Sequence, residues 1–356
     1  MRAPFSRVVC AFALILVVAT AGSAHATTFF VSTDGNDGNS GSMDSPWQTL
    51  RFAVQQLRAG DTLYLRGGVY TGGDNVIDSQ AYPVASGSSW GDAITVAGYP
   101  GESVTMLPPN FASGIKMTHG SPSYWIFQDF VVDMSNQSYG TGMGATAVYV
   151  ADGANHIRLL RMEVKNNQGN GVGFSNSNGN SAFNEVINSS IHDNGRFPGV
   201  NMGYGLYVDT SDNLIEGNEI YNNGGYGLHF YDNSGAHEVN RNVIRNNHIY
   251  GNGTHGGTNY GIVIAWGSDN VVDGNTIEGN RGGIQVYTGS SNTLVINNRI
   301  SGNWPSPGIA MQYYDGAPTV VGNSVGSNAY EIVDFGGNGV PAVESNSVPV
   351  TQWFIY

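Results

Sequence analysis

Gly205-Leu206-Tyr207-Val208, Asn213-Leu214-Ile215 and Asn218-Glu219-Ile220 are one copy of a pattern that this chain repeats. It returns as Gly227-Leu228-His229-Phe230, Asn242-Val243-Ile244 and Asn247-His248-Ile249. The next copies open at Gly261-Ile262-Val263-Ile264 and Gly283-Ile284-Gln285-Val286, each followed by its own Asn-x-apolar steps. Gly205 to Gly227 is 22 residues, and so is Gly261 to Gly283. A fixed period of this length marks each copy as one coil of a solenoid. Each copy holds three short apolar runs of period 2 separated by Gly and Asn, so each coil is expected to be three short strands, and the fold a parallel β-helix.

Gly is frequent, at 51 of 356 residues, and Asn is abundant. Both tolerate the left-handed backbone that tight corners require. The Asn columns (Asn213, Asn242, Asn270, Asn292 and Asn218, Asn247, Asn275, Asn298) are therefore read as amide ladders that bond along the axis, not as ligands. About ten coils are expected, starting near Ile94, Gly114, Ala147, Gly171, Gly205, Gly227, Gly261, Gly283, Gly308 and Tyr330. At the usual strand spacing the stack would be roughly 45–50 Å long. No linker or composition break interrupts it, so residues 27–356 read as one domain.

Residues 1–26 read as a secretory signal: Arg2 and Arg7, an apolar run from Val8 to Ala21, and the cleavage site Ala24-His25-Ala26. The run is too short to span a membrane. A secreted or periplasmic protein starting at Thr27 is expected. The single cysteine, Cys10, lies in the signal, so the mature chain would have no disulfide and no cysteine metal site. It would carry 12 Lys and Arg against 27 Asp and Glu, a net charge of −15. That acidity argues against nucleic acid as a partner. It also disfavours a polyanionic substrate unless Ca²⁺ or a local Arg cluster offsets the field.

Residues 27–93 read as an N-terminal module. Thr28-Phe29-Phe30-Val31 is strand-like; a Gly-, Asn- and Ser-rich loop follows; then Ser45-Pro46-Trp47 leads into a short amphipathic helix with Leu50, Val54 and Leu57 on one face. This helix is expected to cap the open end of the stack. Gln352-Trp353-Phe354-Ile355-Tyr356 is expected to fold over the far end. The run Phe30 to Asp37, then Ser45 to Leu50, then Ala59 to Tyr70 resembles the start of right-handed β-helix polysaccharide lyases, which include pectate lyases and the alginate and chondroitin lyases of this architecture. The resemblance implies a right-handed helix with an N-terminal helical cap. Non-catalytic β-helix proteins share the repeat, so the resemblance bears on fold more than on chemistry.

Function is sought where coils carry extra residues. Gly171–Gly205 and Gly227–Gly261 are each 34 residues, and a further surplus, Asn136–Thr146, precedes Ala147. Insertions of this kind, at Gly195–Tyr204 and Gly251–Tyr260 too, are expected to wall one side of a groove for an extended glycan. On the sheet beside that wall the outward residues would be Tyr149, Gly173, Tyr207, His229, Val263, Gln285 and, at strand ends, Asp209, Tyr231, Asp232, Trp266 and Tyr287. In-register stacking would set Tyr207 beside His229 and Asp209 beside Tyr231, with a sugar-sized gap over Gly173. Tyrosine is also a good strand former in its own right, so the histidine and carboxylates give this column its interest.

Elimination at a uronic acid needs the carboxylate neutralised, a base and an acid. His229 would be the base and Tyr231 or Tyr207 the acid. Asp209 would orient His229. Arg196, Arg241 or Arg245 would pair with the substrate carboxylate. Tyr149, Trp266, Gln285 and Tyr287 would line the binding face. Asp209 and Asp232 could instead hold Ca²⁺. Pectate lyases of this shape use a Lys or Arg base beside an Asp-rich Ca²⁺ site, and this chain departs from that: within the coils only Lys116 and Lys165 remain. Asp209 and Asp232, with Asp152 as a third carboxyl, could alternatively serve glycoside hydrolysis. A glycan-binding protein without catalysis is the third reading. Lys165 with Arg158 and Arg161 is the reserve group.

Overall fold

Successive coils lay their strands onto three parallel sheets, as the repeat requires. The computed structural model describes residues 26–138, 144–179, 181–195, 203–232, 239–255 and 259–352. The signal segment 1–25 and residues 353–356 at the far end lie outside the described residues; Gln352 ends a strand, Val350–Gln352, that pairs with Ile332–Asp334. The sheets have 12, 11 and 10 strands. No helix among the described residues is long and apolar enough to cross a membrane.

The N-terminal module does more than cap. Thr28–Val31 and Thr62–Leu65 pair as the first rungs of the twelve-stranded sheet. The helix Leu50–Gln56 is capped by the Thr49 side chain, which accepts from the Phe52 N–H. It buries Leu50, Ala53 and Val54, with Leu57 closing the turn, against the end of the core.

Inward side chains form one continuous apolar column. Leu206, Val208, Leu228, Phe230, Ile262 and Ile264 are all at 0 % exposure, and each such side chain contributes about 1.5–3 kcal/mol through burial. The glycine opening each copy is fixed by close approach: a Cβ on Gly205 would lie 2.6 Å from the Gly227 carbonyl oxygen, and one on Gly227 would lie 2.7 Å from that of Gly261.

The Asn ladders form. Asn218, Asn247, Asn275, Asn298, Asn323 and Asn346 each accept through Oδ1 from the backbone N–H and the side-chain amide of the asparagine one coil earlier, the first of them from Ser189 N alone. A second ladder runs through Asn184, Asn213, Asn242 and Asn270. It ends there, which corrects the place expected for Asn292. Val271 pairs with Leu294, so Thr293 takes the ladder position, while Asn292 is exposed, left-handed (φ 52°) and donates to Asp269. A third ladder, Asn194, Asn223, Asn252, Asn280, Asn303 and Asn328, follows the same rule.

Candidate active site

Register fixes what the eleven-stranded sheet shows to the outside. Its outward column reads Asp78, Lys116, Tyr149, Gly173, Tyr207, His229, Val263, Gln285 and Ala310. Tyr207 is thus the direct neighbour of His229. Tyr231, on the same strand as His229, pairs with Ala265.

His229 sits among four tyrosine rings. Tyr226 and Tyr231 stack on it at 4.7 and 5.1 Å, and Tyr204 and Tyr207 meet it edgewise at 4.6 and 5.5 Å. Its Nδ1 is buried with no hydrogen-bond partner. Burial in this apolar surround disfavours the charged ring and pushes its pKa down to about 3, although part of the ring still reaches solvent. The imidazole is therefore neutral at any ordinary pH. Two other histidines differ: His192 stacks on Tyr221 but also meets Asp193 and Glu163, and His248 meets Glu278.

Tyr204 and Tyr226 belong to this cage, and outward alternation alone did not find them. Each stands just before the glycine that opens a coil, as does Tyr260. That repeated Tyr-Gly step was the available signal. Tyr204 is nearly buried because Gly225 lets its ring lie on the backbone; a Cβ there would be 2.6 Å from the ring. Tyr260 covers Val263 and Ala310 in a small outer apolar cluster, so Val263 is no open slot. The gap expected over Gly173 is likewise partly filled: a Cβ there would touch Tyr149 at 3.4 Å and Thr146 at 3.2 Å.

Asp209 does not orient His229. Strand pairing stops at Val208, and the Asp209 carboxylate turns to the preceding coil, accepting from Asn176 N at 2.6 Å and Ser175 Oγ at 3.3 Å. Burial, with the Asp232 charge added, pushes its pKa up to about 6. Tyr207 donates its hydroxyl to the Tyr231 carbonyl at 3.2 Å. Burial, then Asp209, raises the Tyr207 pKa, and burial lifts that of Tyr204 to about 12, so both hydroxyls stay protonated. Asp152 lies farther along the sheet and bonds Asn178, Ser177 and His119.

The raised Asp209 pKa gives a stability prediction. The folded state holds the Asp209 proton more tightly than the unfolded chain does. The favourable contribution is full below pH 4 and is lost as pH rises through about 6. Asp209→Asn should therefore stabilise the fold by about 2 kcal/mol above pH 6, discounting for the solvent that reaches the group, and change nothing below pH 4. Denaturant melts at pH 3.5 and 7.5 check this; a variant less stable at both would contradict it.

Ca²⁺ fits this pair poorly. It takes 6–8 oxygens, both Asp209 oxygens already accept hydrogen bonds, and no cluster of three or more His, Cys, Asp or Glu suited to a metal occurs among the described residues. No step below runs through a metal.

The arginines are not brought together with His229. Arg241 and Arg245 lie at the twelve-stranded sheet, where they form two-point ion pairs with Asp212 and Glu216. Arg196 lies outside the described residues, as do parts of the three expected wall loops (139–143, 196–202, 256–258). Gln285 donates to Gln312, Tyr287 lies near Tyr313 at 6.3 Å, and the Trp266 ring packs on Gly289. The reserve group is elsewhere and paired: Lys165 with Glu163 on the ten-stranded sheet, Arg158 with Glu185, Arg161 with Asp129. A groove of about 460 Å³ runs past Asp129, Arg161 and Glu163, but the Arg161–Asp129 pair lines it and Glu163 is held by Lys165 and His192.

Coils, ladders and cap define a right-handed parallel β-helix with an aromatic, histidine-bearing outer face. The chain belongs to the right-handed β-helix proteins and is similar to their pectate lyase-like members: residues 29–199 match the Pel9A-like, right handed beta helix region family, and residues 186–352 match the Right handed beta helix region family. It is similar to pectate lyase PEL9 of Emericella nidulans, with 29 % identity over 222 residues, covering 57 % of this chain and 49 % of that protein. The chain thus spans about half the length of that curated relative. Among solved structures, a rhamnogalacturonan lyase superposes with TM-score 0.62 at 16 % identity, covering 90 % of this chain and 87 % of that one. Pectate lyase Pel9A superposes with TM-score 0.61 at 19 % identity, covering 90 % and 79 %. These two likenesses concern the fold.

Proposed function

We propose that the protein is an exported polysaccharide lyase that cleaves a uronic-acid glycan by β-elimination on the outer face of the eleven-stranded sheet. The observation that carries this reading is His229: a neutral imidazole caged by tyrosines and left without a carboxylate. With Nδ1–H directed at the rings, Nε2 keeps its lone pair, the form a base requires. A base with a pKa near 3 is weak in the free protein. A bound uronate carboxylate favours the imidazolium and raises it.

His229 takes the proton from the carbon beside the carboxylate. That electron pair forms the ring double bond, the bond from the next carbon to the glycosidic oxygen breaks, and a tyrosine hydroxyl, Tyr207 or Tyr231, protonates the departing oxygen. The resemblance to PEL9 supports the substrate class.

One observation favours a second reading. Asp209, lifted to about 6 beside Asp232, is a carboxyl able to act as a general acid near neutral pH, as glycoside hydrolysis requires.

The experiment is direct. Exported protein, with Thr27 at its N-terminus by mass spectrometry, is incubated with pectate, alginate and chondroitin. Ultraviolet absorbance of an unsaturated product is expected. New reducing ends without that absorbance would replace elimination by hydrolysis.

A further inference from the structure

We propose that Lys116 holds a substrate carboxylate at a subsite remote from the bond that breaks, so that the face recognises a uronate chain spanning Lys116 to His229. The inference rests on the uronate reading above and adds a length and a charge requirement to it.

Three observations converge. Lys116 is in the same outward column as His229, through Tyr149, Gly173 and Tyr207. Its neighbours Ile115 and Met117 are both fully buried, so its own side chain points out. Four rungs separate it from His229, about 19 Å at the usual spacing. A pyranose ring is about as long as one rung, so roughly four sugars fill that interval.

Lys116 is also the only Lys or Arg on any described strand of this sheet. Finally, its ammonium donates to the neutral amide oxygen of Gln80. By contrast Arg66, Arg158, Arg161, Lys165, Arg241 and Arg245 each sit 2.6–2.9 Å from a carboxylate. Asp78, next in the column, turns Oδ1 to the N–H groups of Gln80 and Ala81.

A cation held by a neutral amide exchanges that partner for a carboxylate at a gain, because the new bond is charge-assisted. The cations at ion pairs would have to give up a bond of the same kind. Between the two ends, Tyr149 and Tyr207 offer rings, with Tyr149 and Thr146 leaning over Gly173. In a chain this acidic, a cation on this sheet held by a neutral amide also sets where a polyanion docks.

Binding is measured by calorimetry with hexagalacturonate and its full methyl ester, so the comparison stands whether or not turnover occurs. Lys116→Gln should bind the acid about tenfold more weakly than wild type, with the ester unchanged. Lys116→Arg should restore the affinity. Equal acid binding by wild type and Lys116→Gln overturns the inference. So does an equal loss for acid and ester, or no binding of the acid by wild type. Absence of unsaturated product from pectate would remove the reaction proposed above and leave this comparison intact.

Discussion

Replacing His229 with alanine should lower turnover of the glycan by 10²-fold or more while leaving the fold intact. A general base contributes about that much, and no other histidine shares the outward column. The fold should survive because His229 supports no inner packing: its strand neighbours Leu228 and Phe230 carry the core contacts. Its buried Nδ1 also has no bond to lose. Were the ring only a spacer between tyrosines, the variant would keep full activity, and the assay would then remove this cluster as the site. Circular dichroism and a melting curve on the same sample separate lost chemistry from lost structure.

The second large effect is on stability. Asn247→Ala should cost about 3–4 kcal/mol, from several broken bonds of about 1 kcal/mol each at a buried site. Its Oδ1 accepts from both the Asn218 N–H and the Asn218 amide, and its own amide donates to Ile215 O and Asn275 Oδ1, each at 2.9 Å. Alanine leaves the Asn218 N–H without its acceptor away from water and strips one bond from the Asn218 amide and one from the Ile215 carbonyl. Asn292→Gly, at an exposed left-handed corner outside the ladder, should cost little. Denaturant midpoints for the two variants test the contrast; equal stability would mean the ladders are incidental.

The repeat made the coils legible, because a Gly-apolar-x-apolar run states both its strand and its inward face. It also placed Tyr207 beside His229, since a one-residue slip would turn Leu206 and Leu228 to opposite faces and the matching Gly openings set the strands level. Three things escaped. Asn292 was read one residue out of step because neighbouring corner residues can also be Asn, and only strand pairing tells a ladder amide from a turn amide. Arg241 and Arg245 are close to His229 in sequence, but a coil carries them round to another sheet, where carboxylates one coil away claim them. Asp209 was expected to face His229, but alternation says nothing once a strand has ended. Left-handed backbone at Tyr124, His156 and Phe183, with φ of 53°, 52° and 59°, was equally hidden, since bulky residues give no sign of it.

Three parallel amide ladders, one near each corner of the coil, work like tension cables in a mast. Opening a coil anywhere from Asn184 to Asn270 severs bonds in all three at once, so that stretch of the rod resists bending. A glycan bound as proposed would therefore meet a rigid ruler, not a jaw. For the proposed lyase, product release would then rest on motion of the sugar chain along the face, and viscosity of the polymer solution should matter more to turnover than the stiffness of the protein.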